Sequence, residues 1–348
     1  MKKKFSAALI FVGMFLTVAT SWHNSESYCV IFPQNGRDIW GVAQRNILIF
    51  EEDQVGLIPQ VHFEGNASDF GILVPVPARP TLSTVGANVF SEASFMTQPL
   101  VRSSGSGCDC ENEEISSPFM IENQTDAILS MEDESGVIVV YEKKVGMYQA
   151  VVLQATSVTD LTDWLNENKY SHNTNDADLL QDYVAQNWYF VAMKLDTAET
   201  PQRIDQWWSA TTTPAKITFD YSEEKLTYPL KISAISTNEK SNVLIYTISA
   251  DPMRFPRADV EYSNKIDSDE AEAISRNYPQ FSQLIKTGNF VTKLYHSFSK
   301  AEMSQDIEIT KSDDYREFRK IEYGDGNNGL IFAGLSMLAL GIFIRRRT

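Results

Sequence analysis

The sequence predicts an α+β protein: antiparallel β-sheets with a few short helices packed on them, flanked by an N-terminal signal peptide and a C-terminal transmembrane helix. Three observations carry this reading. Short apolar runs are bounded by Gly, Asn and Asp clusters, two segments open on helix-capping patterns, and an uncharged apolar stretch stands near each end of the 348 residues. That length, at about 150 residues per domain, sets a soft expectation of two domains.

Taken in order, Lys2, Lys3 and Lys4 precede an apolar core from Phe5 to Val18 and the small-residue exit Ala19-Thr20-Ser21. A basic head, a short apolar helix and a small-x-small exit are the parts of a secretory signal peptide, assigned to residues 1–21 with cleavage after Ala19 or Ser21. The exported α+β domain is expected over 22–310, as one elaborate unit or two fused halves split near 200–215. Its first block has strands at Ile47–Phe50, Leu57–Phe63 and Phe70–Pro77, with the acidic turn Glu51-Glu52-Asp53 between the first two. Pro75 and Pro77 cannot donate to a ladder, so the third strand ends there or lies at an edge. Val85, Val89 and Phe90 share a helical face, and Val101 to Asn123 reads as a surface loop.

A second block has strands at Val137–Tyr141, Met147–Ala155 and Trp188–Leu195 around two helices. Ser157 and Asp160 form a capping box ahead of Leu161, Trp164 and Leu165, and Asp176 and Asp178 start a helix with Leu180, Tyr183 and Val184 inward. A third block is largely β, at Ile217–Phe219, Tyr228–Ile232, Val243–Ile248 and Asp306–Ile309, with a capping box at Asp267 and Glu270. Blocks one and three share a strand, turn, strand, proline order. Chance resemblance between hairpins accounts for it better than an internal duplication. The charged, poorly periodic residues 311–328 read as a stalk.

Gly329 to Ile344 is uncharged and followed by Arg345, Arg346 and Arg347. Its sixteen residues span roughly 24 Å as a helix, short of the ~30 Å hydrocarbon core but within reach of snorkelling arginines and local thinning. Basic residues favour the cytoplasmic side. The expectation is a single anchor over 329–344, a cytoplasmic tail over 345–348 and everything between the two termini outside the cell.

The formal charge is −16, from 46 acids and 30 bases. Six of those bases lie in the two terminal segments, which hold no acid, so the exported part carries −22. Such a surface excludes nucleic acid as a partner, and it attracts divalent cations weakly. Three cysteines, Cys29, Cys108 and Cys110, leave one thiol over in an oxidising exterior. Pairing Cys29 with Cys108 or Cys110 closes a loop of about 80 residues, worth about 3–4 kcal/mol by chain entropy. The alternative is a metal held by two thiolates with Glu113 or Glu114.

Asp69–Pro77, with its Val74-Pro75-Val76-Pro77 run, Val145-Gly146-Met147-Tyr148 and Leu161–Tyr170, with Trp164-Leu165-x-x-Asn168-x-Tyr170, stand in a characteristic order. Trp188–Lys194, Tyr228–Ile232 and Phe290–Leu294 follow. From about Cys29 to Ile309 the chain resembles the exported prokaryotic proteins grouped as the domain of unknown function 2330 family. Cys29 and the Cys108-x-Cys110 loop also look like that family's cysteines. The resemblance implies an exported, often membrane-anchored protein and supplies no activity.

No G-x-S-x-G elbow, H-E-x-x-H helix, P-loop or dinucleotide fingerprint occurs, so no catalytic residue or cofactor is assigned. His62 alternates with Val61 and Phe63 in a strand and reads as surface-facing or satisfied, and His172 sits in a polar loop with Asn173 and Asp176. The candidate binding surface is Trp207 and Trp208 together with Asp109, Glu111, Glu113 and Glu114 beside the cysteines. The function expected is a binding or structural role in the cell envelope, with an extracellular protein, glycan or divalent cation as partner. The alternative is an extracytoplasmic enzyme, a hydrolase or thiol-linked factor, whose sign is a deep pocket lined by His62 or His172 and carboxylates.

Overall fold

The structure is a computed structural model and describes residues 30–33, 39–65, 70–103, 131–132, 136–146, 148–170, 177–195, 208–211, 215–237 and 239–324. In order come strands β1 (Val30–Pro33), β2 (Ile39–Phe50), β3 (Gln54–Gly65), β4 (Phe70–Val76) and β5 (Thr81–Thr84), then helix α1 (Val89–Met96). Strands β6 (Leu100–Ser103), β7 (Met131–Glu132), β8 (Val137–Val145) and β9 (Tyr148–Ala155) lead to helices α2 (Val158–Glu167) and α3 (Ala177–Ala185). Strands β10 (Tyr189–Leu195), β11 (Trp208–Thr211), β12 (Ala215–Asp220) and β13 (Lys225–Tyr228) precede the short helix α4 (Leu230–Ser233). The remaining elements are β14 (Lys240–Ser249), β15 (Met253–Arg254), β16 (Asp259–Lys265), α5 (Ser268–Asn277), β17 (Phe290–Ser299), β18 (Ile307–Lys311), β19 (Phe318–Arg319) and β20 (Ile321–Gly324).

The central strands are apolar on both faces. Ile72, Val74 and Val76 of β4 enter one core while Leu73 enters another, and β10 divides Val191 and Met193 from Phe190 and Ala192 in the same way. On β2, Leu48 joins the first core while Ile47 and Ile49 join a third. Strands buried on both sides need cover on both sides, and the fold supplies it as four layers. A six-stranded sheet, β1-β4-β10-β9-β8-β7, packs against a nine-stranded sheet, β19-β16-β17-β14-β2-β3-β12-β5 with β11 also on β3. Helices α2 and α3 cover the outer face of the first sheet, and α1 and α5 that of the second. A three-stranded sheet, β13-β18-β15, adds Leu226, Tyr228, Ile307 and Ile309 to the central core.

The expected α+β class holds, as mostly antiparallel sheets with short helices on them, and one of the two parallel pairings among the described residues lies at the centre of the larger sheet. β2 and β14 pair in parallel, from Val243 opposite Gln44 to Ile248 opposite Ile49. Every other pairing in that sheet is antiparallel. Through this pairing, strands from either side of residues 200–215 share one sheet. A buried polar chain reinforces the joint. The Gln44 amide donates to Ser241 Oγ (2.7 Å), Tyr228 OH donates to Gln44 Oε1 (2.9 Å), and the Asn46 amide donates to Tyr228 OH (2.9 Å).

Local chemistry sets the helix starts. Ser157 Oγ accepts the Asp160 N–H, and Asp267 accepts from Asp269 and Glu270 while Glu270 returns a bond to the Asp267 N–H. Past α2, Asn168 closes the helix with its amide on the Trp164 carbonyl (2.9 Å), and Lys169 takes a left-handed φ of 62°. This turn drops the Tyr170 ring onto β4 at Gly71, where no side chain intervenes. Trp164 stacks on Tyr170 at 5.9 Å, and Lys194 lies over the ring at 4.7 Å while donating to the Asn168 carbonyl. Three of the stretches that carry the family resemblance therefore meet here, through Gly71, Trp164–Tyr170 and Lys194.

Three expectations are corrected. The strand expected over Tyr228–Ile232 stops at Tyr228, because Pro229 has no N–H for the ladder and instead heads α4. With one of its strands replaced by a helix and its partners in different sheets, the third block does not repeat the first, in keeping with the chance resemblance expected of the two. Of the expected stalk, residues 311–324 lie against the domain. Phe318 and Arg319 pair with β16, Ile321–Gly324 pairs in parallel with β6, and the β6 strand replaces loop at Val101–Ser103. β4 runs through Pro75, which lies opposite Phe190 of β10; among the described residues β1 covers β4 up to Leu73. Among the described residues no helix is long and apolar enough to cross a membrane; the segments 5–18 and 329–344 lie outside them.

Two substitutions test this packing. Gly71→Ala would set a Cβ 1.9 Å from Tyr170 Cε1, so it should lower unfolding free energy by about 1–3 kcal/mol in chemical denaturation. An unchanged midpoint would contradict the close approach. Asp306 joins α3 and α4 to β18 by accepting both Tyr183 OH and the Lys231 N–H on Oδ1, each at 2.8 Å. Burial, against those two bonds, pushes its carboxyl pKa up. Asp306→Ala should cost about 1–3 kcal/mol by stranding both donors, whereas Asp306→Asn keeps the accepting oxygen and should stay near wild type. A carboxyl whose pKa is raised on folding holds its proton more tightly folded, so its contribution to stability falls as pH rises from the unfolded pKa through the folded one. Asp306→Asn should remove that fall; denaturation across acidic to neutral pH reads it directly.

Candidate functional site

The parallel register of β2 and β14 brings the ends of both strands to one edge of the nine-stranded sheet. Phe50 leads there into Glu51-Glu52-Asp53, a tight hairpin closed by the Glu51 N–H on the Gln54 carbonyl (2.9 Å). Ser249 leads into Asp251, and β12 ends beside the hairpin, with the Tyr221 N–H on the Asp53 carbonyl at 2.8 Å. Glu223 and Glu224 follow on the β12–β13 loop, and Lys286 and Asn289 come from the segment before β17. These turns enclose a cleft of about 930 Å³.

Its floor is apolar and continuous with the cores through Ile49, Val55, Leu226 and Met253. Its walls are acidic. Among the described lining residues, Glu51, Glu52, Asp53, Asp220, Glu223, Glu224 and Asp251 stand against Lys286 and Lys311, a local formal charge of −5. Lys286 hydrogen-bonds Glu51 at 2.5 Å and holds its carboxyl below the usual range. Lys311, at 2.8 Å, does the same for Asp251, helped by Tyr315 OH at 2.9 Å. Asp220 accepts the Gln54 amide at 3.0 Å. Glu52, Asp53, Glu223 and Glu224 form no ion pair among the described residues. Burial raises the pKa of the wall residue Tyr221, which donates its hydroxyl to the Lys225 carbonyl.

An acidic wall over an apolar floor, with carboxylates on three separate loops, suits an extended cationic group that brings some apolar surface. Among the described residues no three His, Cys, Asp or Glu side chains gather as a metal-binding set.

Of the residues singled out from sequence, Cys29, Cys108, Cys110, Asp109, Glu111, Glu113, Glu114, Trp207 and His172 lie outside the described residues. The backbone of Trp208 opens β11 opposite Gly65, at the far end of β3 from the hairpin, and His62 pairs with Ala43 and Thr211. The structure does not bring Trp208 to the cleft. Sequence reasoning passed over the cleft acids: Glu51–Asp53 read as a solvated turn, and nothing in the order of residues tied it to Glu223 or Asp251. The usable signal was acidic runs at successive strand ends.

A family model described as "Uncharacterized protein conserved in bacteria (DUF2330)" matches residues 24–310. No curated protein and no solved structure matches the chain. The match spans both sheets, the Gly71–Tyr170 cluster and the cleft loops, and on it the chain belongs to the domain of unknown function 2330 family.

Proposed function

We propose that the chain is an exported envelope protein, tethered by Gly329–Ile344, whose domain uses the acidic cleft to bind a cationic partner outside the cell. The observation that carries the reading is the cleft itself: about 930 Å³, an apolar floor, and seven carboxylates against two lysines. Four of those carboxylates lack an internal counter-ion, so an arriving cation gains attraction without first breaking an ion pair. A basic peptide segment of another envelope protein fits this chemistry, since its side chains also carry methylenes for the floor.

The direction of the chain supports the same arrangement. Lys265, Phe290 and Ser249 line up across the sheet at the cleft end. β19 runs antiparallel to β16 and so carries the C-terminal segment away from that end. A cleft pointing away from the tether is open to partners in the exterior. Export also places Cys29, Cys108 and Cys110 in an oxidising space, where one disulfide between Cys29 and either partner pins the start of the domain.

Binding of a fluorescent oligolysine peptide to the full chain in detergent micelles tests the cleft. The variant Glu52→Gln/Asp53→Asn/Glu223→Gln/Glu224→Gln should bind about tenfold more weakly and with a shallower salt dependence. Equal affinity and salt dependence in the two proteins would sink the reading. The cysteine arrangement is read by intact mass after thiol labelling of exported protein: one labelled thiol per chain is expected, and three would exclude the bridge.

A further inference from the structure

The C-terminal corner of the domain carries a second surface. Among the described residues β20 pairs with β6 alone, in a parallel two-stranded ribbon outside the larger sheets. Leu100 lies opposite Ile321 and Arg102 opposite Tyr323, and paired residues of neighbouring strands project to the same side. One face of the ribbon is therefore Leu100, Arg102, Ile321 and Tyr323. It is exposed, with Tyr323 at 72% and Leu100 at 45%, and Phe95 at the end of α1 is 62% exposed nearby.

A two-stranded ribbon is marginal in water by itself, and apolar side chains on it call for cover. This ribbon is nevertheless fastened at its base. Arg319 donates to the Met96 carbonyl (2.8 Å) and stacks over Tyr262 (4.9 Å), the Leu100 N–H bonds the Lys320 carbonyl (2.9 Å), and Lys320 pairs with Glu261 (2.9 Å). Glu261 is also paired with the largely buried Lys293 at 2.9 Å. The apolar face is thus presented on a fixed mount.

Its position identifies what covers it. Gly324 ends the ribbon, and Gly329 opens the apolar segment five positions later, a reach of roughly 18 Å at full extension. The face carries an arginine and no acid, on an ectodomain that is otherwise strongly acidic. Aliphatic side chains, a tyrosine and an arginine are the combination that the interfacial zone of a bilayer accommodates, with the ring at headgroup level and the guanidinium on phosphate. We propose that the β6–β20 ribbon is a membrane-docking surface that seats Leu100, Ile321 and Tyr323 in the bilayer interface beside the tether. The inference rests on Gly329–Ile344 being that tether. It fixes the orientation of the domain, with the ribbon down and the acidic cleft away from the lipid.

The test uses the full chain reconstituted into phosphatidylcholine–phosphatidylglycerol vesicles that carry a lipid with a photoreactive headgroup. Flotation after an alkaline wash reads the tether; peptide mapping after illumination reads the docking. Label on the peptides that contain 95–103 and 318–323, and none on 51–53 or 220–224, is the expected result. Leu100→Glu/Tyr323→Glu should lower ribbon labelling about tenfold while flotation is unchanged. Should that variant fail to fold, the wild-type labelling pattern alone decides. A chain that floats but is labelled elsewhere overturns the docking surface and leaves the tether standing. Ribbon cross-links to residues 104–130, or to a second copy, in place of lipid overturn it equally. A chain that does not float overturns the tether and this proposal with it.

Discussion

The parallel pairing of β2 with β14 is the contact on which the other features depend. It joins a strand from the start of the described chain to one from its last third, and it stands at the middle of the nine-stranded sheet. Because the strands run the same way, their C-terminal turns emerge together, and the Glu51–Asp53 hairpin meets Asp251. Antiparallel pairing there would have sent these acids to opposite ends of the sheet. The hydrogen-bonded Gln44, Tyr228, Ser241 and Asn46 side chains sit beside this joint. Buried polar groups of this kind are costly unless partnered, so they favour the register in which their partners are met.

Charge is handled differently at the two ends of the domain. At the cleft, carboxylates stand close together over an apolar floor, and only Glu51 and Asp251 are neutralised by lysines. That repulsion is tolerable because the walls are open to water and screened by salt. Near the ribbon, Glu261 is partly buried. Desolvation pushes its pKa up, but hydrogen bonds from Lys293 and Lys320 outweigh it and hold the carboxyl below the usual range. Here the charges are matched inside the structure and serve to fasten the C-terminal segment. The charges at the cleft stay open to water; those near the ribbon hold the fold.

Features that depend on residues a few positions apart were legible in the sequence. The caps at Ser157 and Asp267 need only a side chain and an amide three residues on, and both form. The inward faces of α2 and α3 follow from helical spacing, and Leu161, Trp164, Leu180 and Tyr183 are buried as that spacing requires. Pro229 was the local error. Its missing N–H ends β13, a signal applied at Pro75 and overlooked there. The docking of residues 311–324 was not legible, because Arg319, Lys320 and Glu322 read as a solvated charge run until Glu261, Tyr262 and the Met96 carbonyl are placed beside them.

The sequence by itself determined the α+β class, the positions of most strands and helices, the acidic balance of the chain and, through its motifs, the family. Each of these follows from composition or from periodicity within one element. Tertiary structure alone decided that two sheets share one core, that strands from either side of residues 200–215 join one sheet, and that three acidic turns enclose one cleft. Those outcomes depend on which strands pair and in which direction. Pairing is governed by long-range burial on both faces of a strand, and an apolar run has the same appearance in sequence whichever neighbour it finds.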